Sequence, residues 1–165
     1  MAHEKTTAGL VFSCFVLWGC GDALAAKPTE WSLLGENKSG TYYTDLASFK
    51  QEPKTPSLTQ ATARAVLKNP SFIRLLDHLY AKKLKETDSA KECIMDVEID
   101  EAGHTYRINQ IQVLTRNGKT LEKKKIKENF SPIPQRTFVD ALEKKIQAWK
   151  MEHKKESVKH ENPRF

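Results

Sequence analysis

Glu92-Cys-Ile-Met-Asp-Val-Glu-Ile-Asp100 decides the fold class. Cys93, Met95, Val97 and Ile99 alternate with Asp96, Glu98 and Asp100, and a period of two is that of a strand with one buried face. The three carboxylates are accordingly expected as a row on a solvated face. Glu101-Ala102-Gly103 turns the chain, and Thr105 to Thr115 returns as a second strand rich in Ile and Val. Asn117-Gly118 fits a type I′ hairpin, which needs φ > 0 at both central residues. Lys119 to Lys127 follows as a third strand, with Leu121 and Ile126 as its few apolar residues. Lysines in that density protect a sheet edge from unwanted pairing.

Upstream, Trp31-Ser-Leu-Leu-Gly35 and Gly40-Thr-Tyr42-Tyr43-Thr-Asp45, with Leu46 and Phe49 beyond, read as strand, tight turn, strand. Aromatic and β-branched residues suit a pleated, half-buried surface. The glycines around Glu36-Asn37-Lys38-Ser39 supply φ > 0 for the turn. Residues 50–57 carry two prolines and read as a loop. Ser57-Leu-Thr-Gln60 has capping-box spacing, so the Ala-rich run to Lys68 is expected to be helical. Asn69-Pro70 should end or kink it. A second helix is expected from Ser71, because Phe72, Leu75, Leu76 and Leu79 fall at i, i+3, i+4 and i+7. Lys82, Lys83 and Lys85 would then suit its C-terminal dipole.

At the far end Phe130-Ser-Pro-Ile-Pro134 is a rigid extended link, and Thr137 caps a last helix with Asp140 at its third position. Phe138, Ala141, Leu142, Ile146 and Trp149 form a stripe long enough to cross a sheet face. The expected class is α+β. A small antiparallel sheet built from Trp31–Phe49 and Cys93–Ile126 packs against the C-terminal helix, with an additional helical pair over 58–85 between the hairpins.

Trp31…Gly35…Gly40-x-Tyr42-Tyr43-x-Asp45 resembles the opening signature of the bacterial surface-adhesin protein E family. Later segments agree in order: Glu92-Cys93, Thr105-Tyr106-Arg107, Asn117-Gly118 and the Pro132-containing Phe130–Pro134 stretch. The resemblance covers Glu30 to Trp149. It implies a surface-exposed or periplasmic binding protein of a Gram-negative bacterium, with adhesion to host matrix proteins as the family's activity. The same family often carries a second Cys near the C-terminus. None follows Cys93 here, which removes the internal disulfide the resemblance would imply.

Residues 1–25 read as a signal peptide, with Lys5 before the apolar run Ala8–Gly19 and Ala23-Leu24-Ala25 as a small-x-small cleavage site. The run, about 12 residues, is short of the ~20 a membrane span needs. Leu17-Trp18-Gly19-Cys20 resembles a lipoprotein box, so two routes are open. Lipidation of Cys20 would tether the domain to a membrane, and cleavage after Ala25 would release it to the periplasm or the cell surface. The remaining organisation is one domain over 26–152 and a charged tail over 153–165, expected to be disordered.

The full chain has 165 residues and a formal charge of +6. Loss of residues 1–25 leaves 26 basic against 19 acidic side chains, a balance of +7. That favours a protein or acidic polymer as partner at the envelope, and export argues against nucleic acid. The lysines Lys119, Lys123, Lys124, Lys125 and Lys127 are the candidate docking patch, against a bland reading as solvated edge. Composition fixes no oligomeric state. No Gly-x-Ser-x-Gly elbow, His-x-x-x-His, Cys-x-x-Cys or phosphate-binding glycine loop occurs, so neither an enzyme nor a metal or other cofactor is expected. Cys93, left alone once Cys14 and Cys20 are removed, reads as a structural buried thiol, with an intermolecular bridge as the alternative, and His104 as a turn histidine. An envelope assembly factor contacting only bacterial components is the alternative to an adhesin.

Overall fold

The computed structural model describes residues 29–160, with side chains through Lys154. The expected signal peptide and Cys20 lie outside the described residues. Seven strands, β1 (Trp31–Glu36), β2 (Gly40–Glu52), β3 (Thr55–Leu67), β4 (Ala90–Asp100), β5 (Thr105–Thr115), β6 (Thr120–Lys125) and β7 (Ser131–Pro132), form one antiparallel sheet. Two helices, α1 (Pro70–Leu79) and α2 (Phe138–His160), complete the α+β fold. Strand order is β1-β2-β3-β4-β5-β6, and β7 pairs with β5 beyond the end of β6. The extended link at Pro132 is thus part of the sheet, opposite Thr105.

The first member of the expected helical pair is a strand. β3 spans thirteen residues between β2 and β4, with Ala63 opposite both Thr44 and Met95 and Ala61 opposite Val97. Alanine's helix preference amounts to a few tenths of a kcal/mol per residue. Two hydrogen-bonded ladders and the burial of Ala61, Ala63, Ala65 and Leu67 on one face outweigh it. The proline-containing loop shrinks to a hairpin turn at Pro53-Lys54, with Glu52 opposite Thr55.

Asn69-Pro70 opens a helix rather than closing one. The Asn69 carboxamide accepts from the amides of Ser71 and Phe72, and Pro70 fills the first turn, where its missing N–H is of no consequence. Of the expected α1 stripe only Leu76 is buried, while Phe72, Leu75 and Leu79 face solvent. Ile73, Tyr80 and Leu84 take their places against Leu67, Ala90, Val113 and Leu121. The helix ends at Leu79, so Lys82, Lys83 and Lys85 lie in the following turns, where the Lys83 amine donates to the Leu121 carbonyl.

α2 begins as expected. The Asp140 amide donates to the Thr137 hydroxyl, and the Asp140 carboxylate accepts from the Arg136 amide. Val139, Leu142 and Ile146 are buried against the alanines of β3 and against Met95, Val97 and Ile99 of β4. Phe138 stacks on Tyr42 at 5.0 Å, and Trp149 meets Phe49 edge-on at 5.6 Å. The helix continues past Met151 to His160, into the segment whose charge pointed to a disordered tail; residues 161–165 lie outside the described part.

Two turns use their glycines otherwise than expected. At β1–β2 the Asn37 carboxamide accepts from the amides of Ser39 and Gly40. Gly40 is required by proximity, since a Cβ there would sit 2.5 Å from the Val66 carbonyl oxygen. At β5–β6 only Gly118 is left-handed, with φ 77°. The loop is therefore the three-residue Arg116-Asn117-Gly118 turn, not type I′, and the register shifts between Val113 and Leu114.

Candidate functional site

Both helices lie on one face of the sheet. Among the described residues the other face carries none, and alternation sends polar residues of β2 to β5 onto it. They pair with each other across strands. Arg64 grips Glu92 at 3.0 and 2.5 Å with its guanidinium 5.5 Å from the Trp31 ring centre. Asp96 accepts from the Thr62 hydroxyl at 3.3 Å and from the Gln110 carboxamide at 3.0 Å. Glu98 accepts from Arg107 at 2.6 Å and Asn109 at 3.1 Å, and Arg107 in turn lies over Phe130. The expected solvated carboxylate row is thus corrected: Glu98 is only 4% exposed, covered by the partners that neutralise it.

A hollow of about 380 Å³ opens on this face between Ser48, Gln60, Thr62, Asp96 and Asn109. Ser48, Thr62 and Asp96 there are already held by hydrogen bonds within the protein. The Ser48 hydroxyl donates to the Asp45 carbonyl and accepts from the Thr62 amide, and both Asp96 oxygens are engaged. Such a network holds strands in register rather than presenting groups to a substrate.

The lysines stand differently. β6 is an outer strand, and Lys123, Lys124, Lys125 and Lys127 are all exposed. Lys123 and Lys125 lie opposite Gln112 and Gln110 on the open face, and Lys124 lies opposite Ile111 on the other. Among the described residues none of these four meets a carboxylate. Lys68, Lys144 and Lys150 do, pairing with Glu36, Asp140 and Glu101. Lys119 leaves the patch, because its amine donates to the Lys83 carbonyl and ties the hairpin to the end of α1.

The remaining signature residues are dispersed over the sheet. Gly35 sits at the β1 irregularity, and Asp45 accepts from the amides of Glu30 and Ala47. Tyr43 lies opposite Arg64, and Tyr106 opposite Ile99. Cys93 is half-buried beside both apolar clusters, and that burial pushes its thiol pKa up, away from nucleophilic use.

No family model matches the chain, and neither does any curated protein or solved structure. Geometry alone therefore ranks the sites.

One contact had no signal in the sequence. His104, at φ 49° in the β4–β5 turn, places Nδ1 2.9 Å from the carboxylate of buried Glu143 on α2. The two are 39 positions apart, so no local pattern announces the pair. Among the described residues no group of three or more His, Cys, Asp or Glu is arranged to hold a metal ion.

Proposed function

We propose that the chain is a non-catalytic docking protein, exported to the bacterial envelope or surface, that meets an anionic macromolecule through the lysine edge of β6. One observation carries the reading. Lys123, Lys124 and Lys125 on the outer strand β6, and Lys127 just past its end, are exposed and meet no carboxylate, whereas the carboxylates Glu92, Asp96 and Glu98 of the open face are each held by neighbouring side chains. Likeness of Trp31…Asp45 to the surface-adhesin protein E signature supports a host matrix protein as the partner. The raised thiol pKa of Cys93 supports a non-enzymatic role.

Contacts of solvated lysines act mainly on association rate and fade as the Debye length falls from ~10 Å at 0.1 M salt to ~3 Å at 1 M. The decisive comparison sets the wild type against a variant carrying Lys123→Glu, Lys124→Glu and Lys125→Glu on heparin and on immobilised matrix protein. The variant is expected to bind more weakly, most clearly at low salt. Equal retention would return these lysines to edge protection. Mass spectrometry of secreted protein is expected to find an N-terminus near Ala26 or a lipidated Cys20, and full-length chain recovered from the cytosol would remove export from the proposal.

A further inference from the structure

Among the described residues, three of the six large apolar side chains that stand exposed lie on one ten-residue helix: Phe72 at 42%, Leu75 at 59% and Leu79 at 66%. Their spacing of three and four residues puts them in one stripe. They border the inward face made by Ile73, Leu76 and Tyr80, so α1 is apolar well beyond what its packing uses.

The surroundings of the stripe are cationic. Arg74 follows it around the helix, and Lys82 and Lys85 stand exposed in the turns after its end, beside Lys83, whose amine is held by the Leu121 carbonyl. Lys119 reaches the Lys83 carbonyl and the Arg116 amide donates to the Ser89 carbonyl, which brings two more cationic residues to this end of the molecule. The acids of the segment are largely turned away. Asp77 points inward to the Ser89 hydroxyl and the Ala90 amide, both at 2.7 Å. Asp88 accepts from the Ser89 amide, and only Glu86 stands exposed without such a tie.

From this juxtaposition we infer that α1 docks on an anionic lipid surface, with Phe72, Leu75 and Leu79 entering the headgroup–acyl boundary and the ring of lysines and arginines meeting the headgroups. Charge decides the occupant. A second copy of the chain would bring the same cations face to face, and lysine is depleted in protein–protein interface cores. A short helix with Phe and Leu on one side and Lys or Arg beside them is the chemistry of a helix lying in a membrane interface, its apolar side ~5–10 Å deep. No described helix is long and apolar enough to cross a membrane, and interfacial docking requires no crossing.

The test uses the full chain with vesicles of phosphatidylcholine alone or mixed with phosphatidylglycerol at about three parts to one. Amide hydrogen exchange over residues 70–85 is the readout, since it reports on α1 whatever other segment holds the lipid. Slowed exchange in α1 on the anionic vesicles, and much less on the neutral ones, is expected. The double variant Leu75→Gln with Leu79→Gln should lose that protection, with a partition roughly tenfold weaker, while keeping its fold because both positions are exposed. Lys82→Glu with Lys85→Glu leaves the stripe intact and should abolish the preference for anionic over neutral lipid. Unchanged α1 exchange in wild type on the anionic vesicles overturns the inference, as does equal protection in the Leu75/Leu79 variant. Concentration-dependent dimerisation without lipid that this variant abolishes assigns the stripe to a second copy and overturns it too. These outcomes are independent of the Lys123–Lys125 edge, whose variant is expected to retain α1 protection.

Discussion

The two faces of the sheet solve one problem, burial of four long strands, with opposite chemistry. On the covered face Ala61, Ala63, Ala65, Val97 and Ile99 meet Leu142 and Ile146 of α2, and stability comes from apolar area and close packing. On the open face Arg64–Glu92, Thr62–Asp96–Gln110 and Glu98–Arg107–Asn109 run across the same strands as hydrogen-bonded pairs. The difference teaches that a charged face on a strand is not by itself a solvated one. Carboxylates can be covered provided each is given a cation or an amide, and then they specify register instead of offering a surface.

Substitutions can break or sharpen that contrast. Leu142→Ala should have the largest effect, a loss of about 2–5 kcal/mol in denaturant unfolding, because a fully buried side chain leaves a cavity between helix and sheet. A loss of a few tenths would mean that α2 is not docked. Glu98→Ala should cost about 1–3 kcal/mol, since it strands the Asn109 carboxamide and the Arg107 guanidinium, although Arg107 can turn toward water. An unchanged midpoint would reduce the open-face network to decoration.

Tyr80 tests the border where the covered face ends. Its hydroxyl donates to Glu122, and that bond, helped by burial, pushes its pKa up to about 12. A raised value means that the folded state favours the neutral phenol. This contribution is present below the unfolded value of about 10 and disappears as pH rises through about 12. In an absorbance titration Tyr80 should ionise near pH 12, and Glu122→Gln should lower that value. The smallest effect belongs to the triple lysine reversal on β6, expected within about 0.5 kcal/mol of wild type, because unpaired exposed charges contribute little to stability. A larger loss would make the edge part of the folded scaffold.

The hairpins were legible where period and residue type agreed. Cys93-to-Ile99 alternation located β4, and the aromatics of Trp31–Tyr43 located β1 and β2. β3 was obscured by alanine, which favours helices locally but also supplies the small side chains that a sheet needs beneath a close helix. Its period of two at Ala61, Ala63, Ala65 and Leu67 was present in the sequence, and the capping spacing of Ser57 and Gln60 concealed it. The α1 stripe is legible, but not that three of its four residues face outward, because periodicity marks an apolar side without saying what covers it. In the lysine patch, residue type disclosed Lys123–Lys125, whereas the tie of Lys119 to Lys83 depends on a contact 36 positions apart.

The strictly sequential order of β1 to β6 has a consequence for how the chain assembles. Along this path every pairing joins neighbours in sequence, with only the short β7 returning to β5, so the six strands can be laid down as successive hairpins with short loop closures. As the polypeptide emerges from its N-terminal end, each new strand finds its template already present. The segment that seals the apolar face, α2, is synthesised after all of them. Until it emerges, the alanine-lined surface stands uncovered, and α2 supplied as a separate peptide to the strands alone is expected to complete the fold.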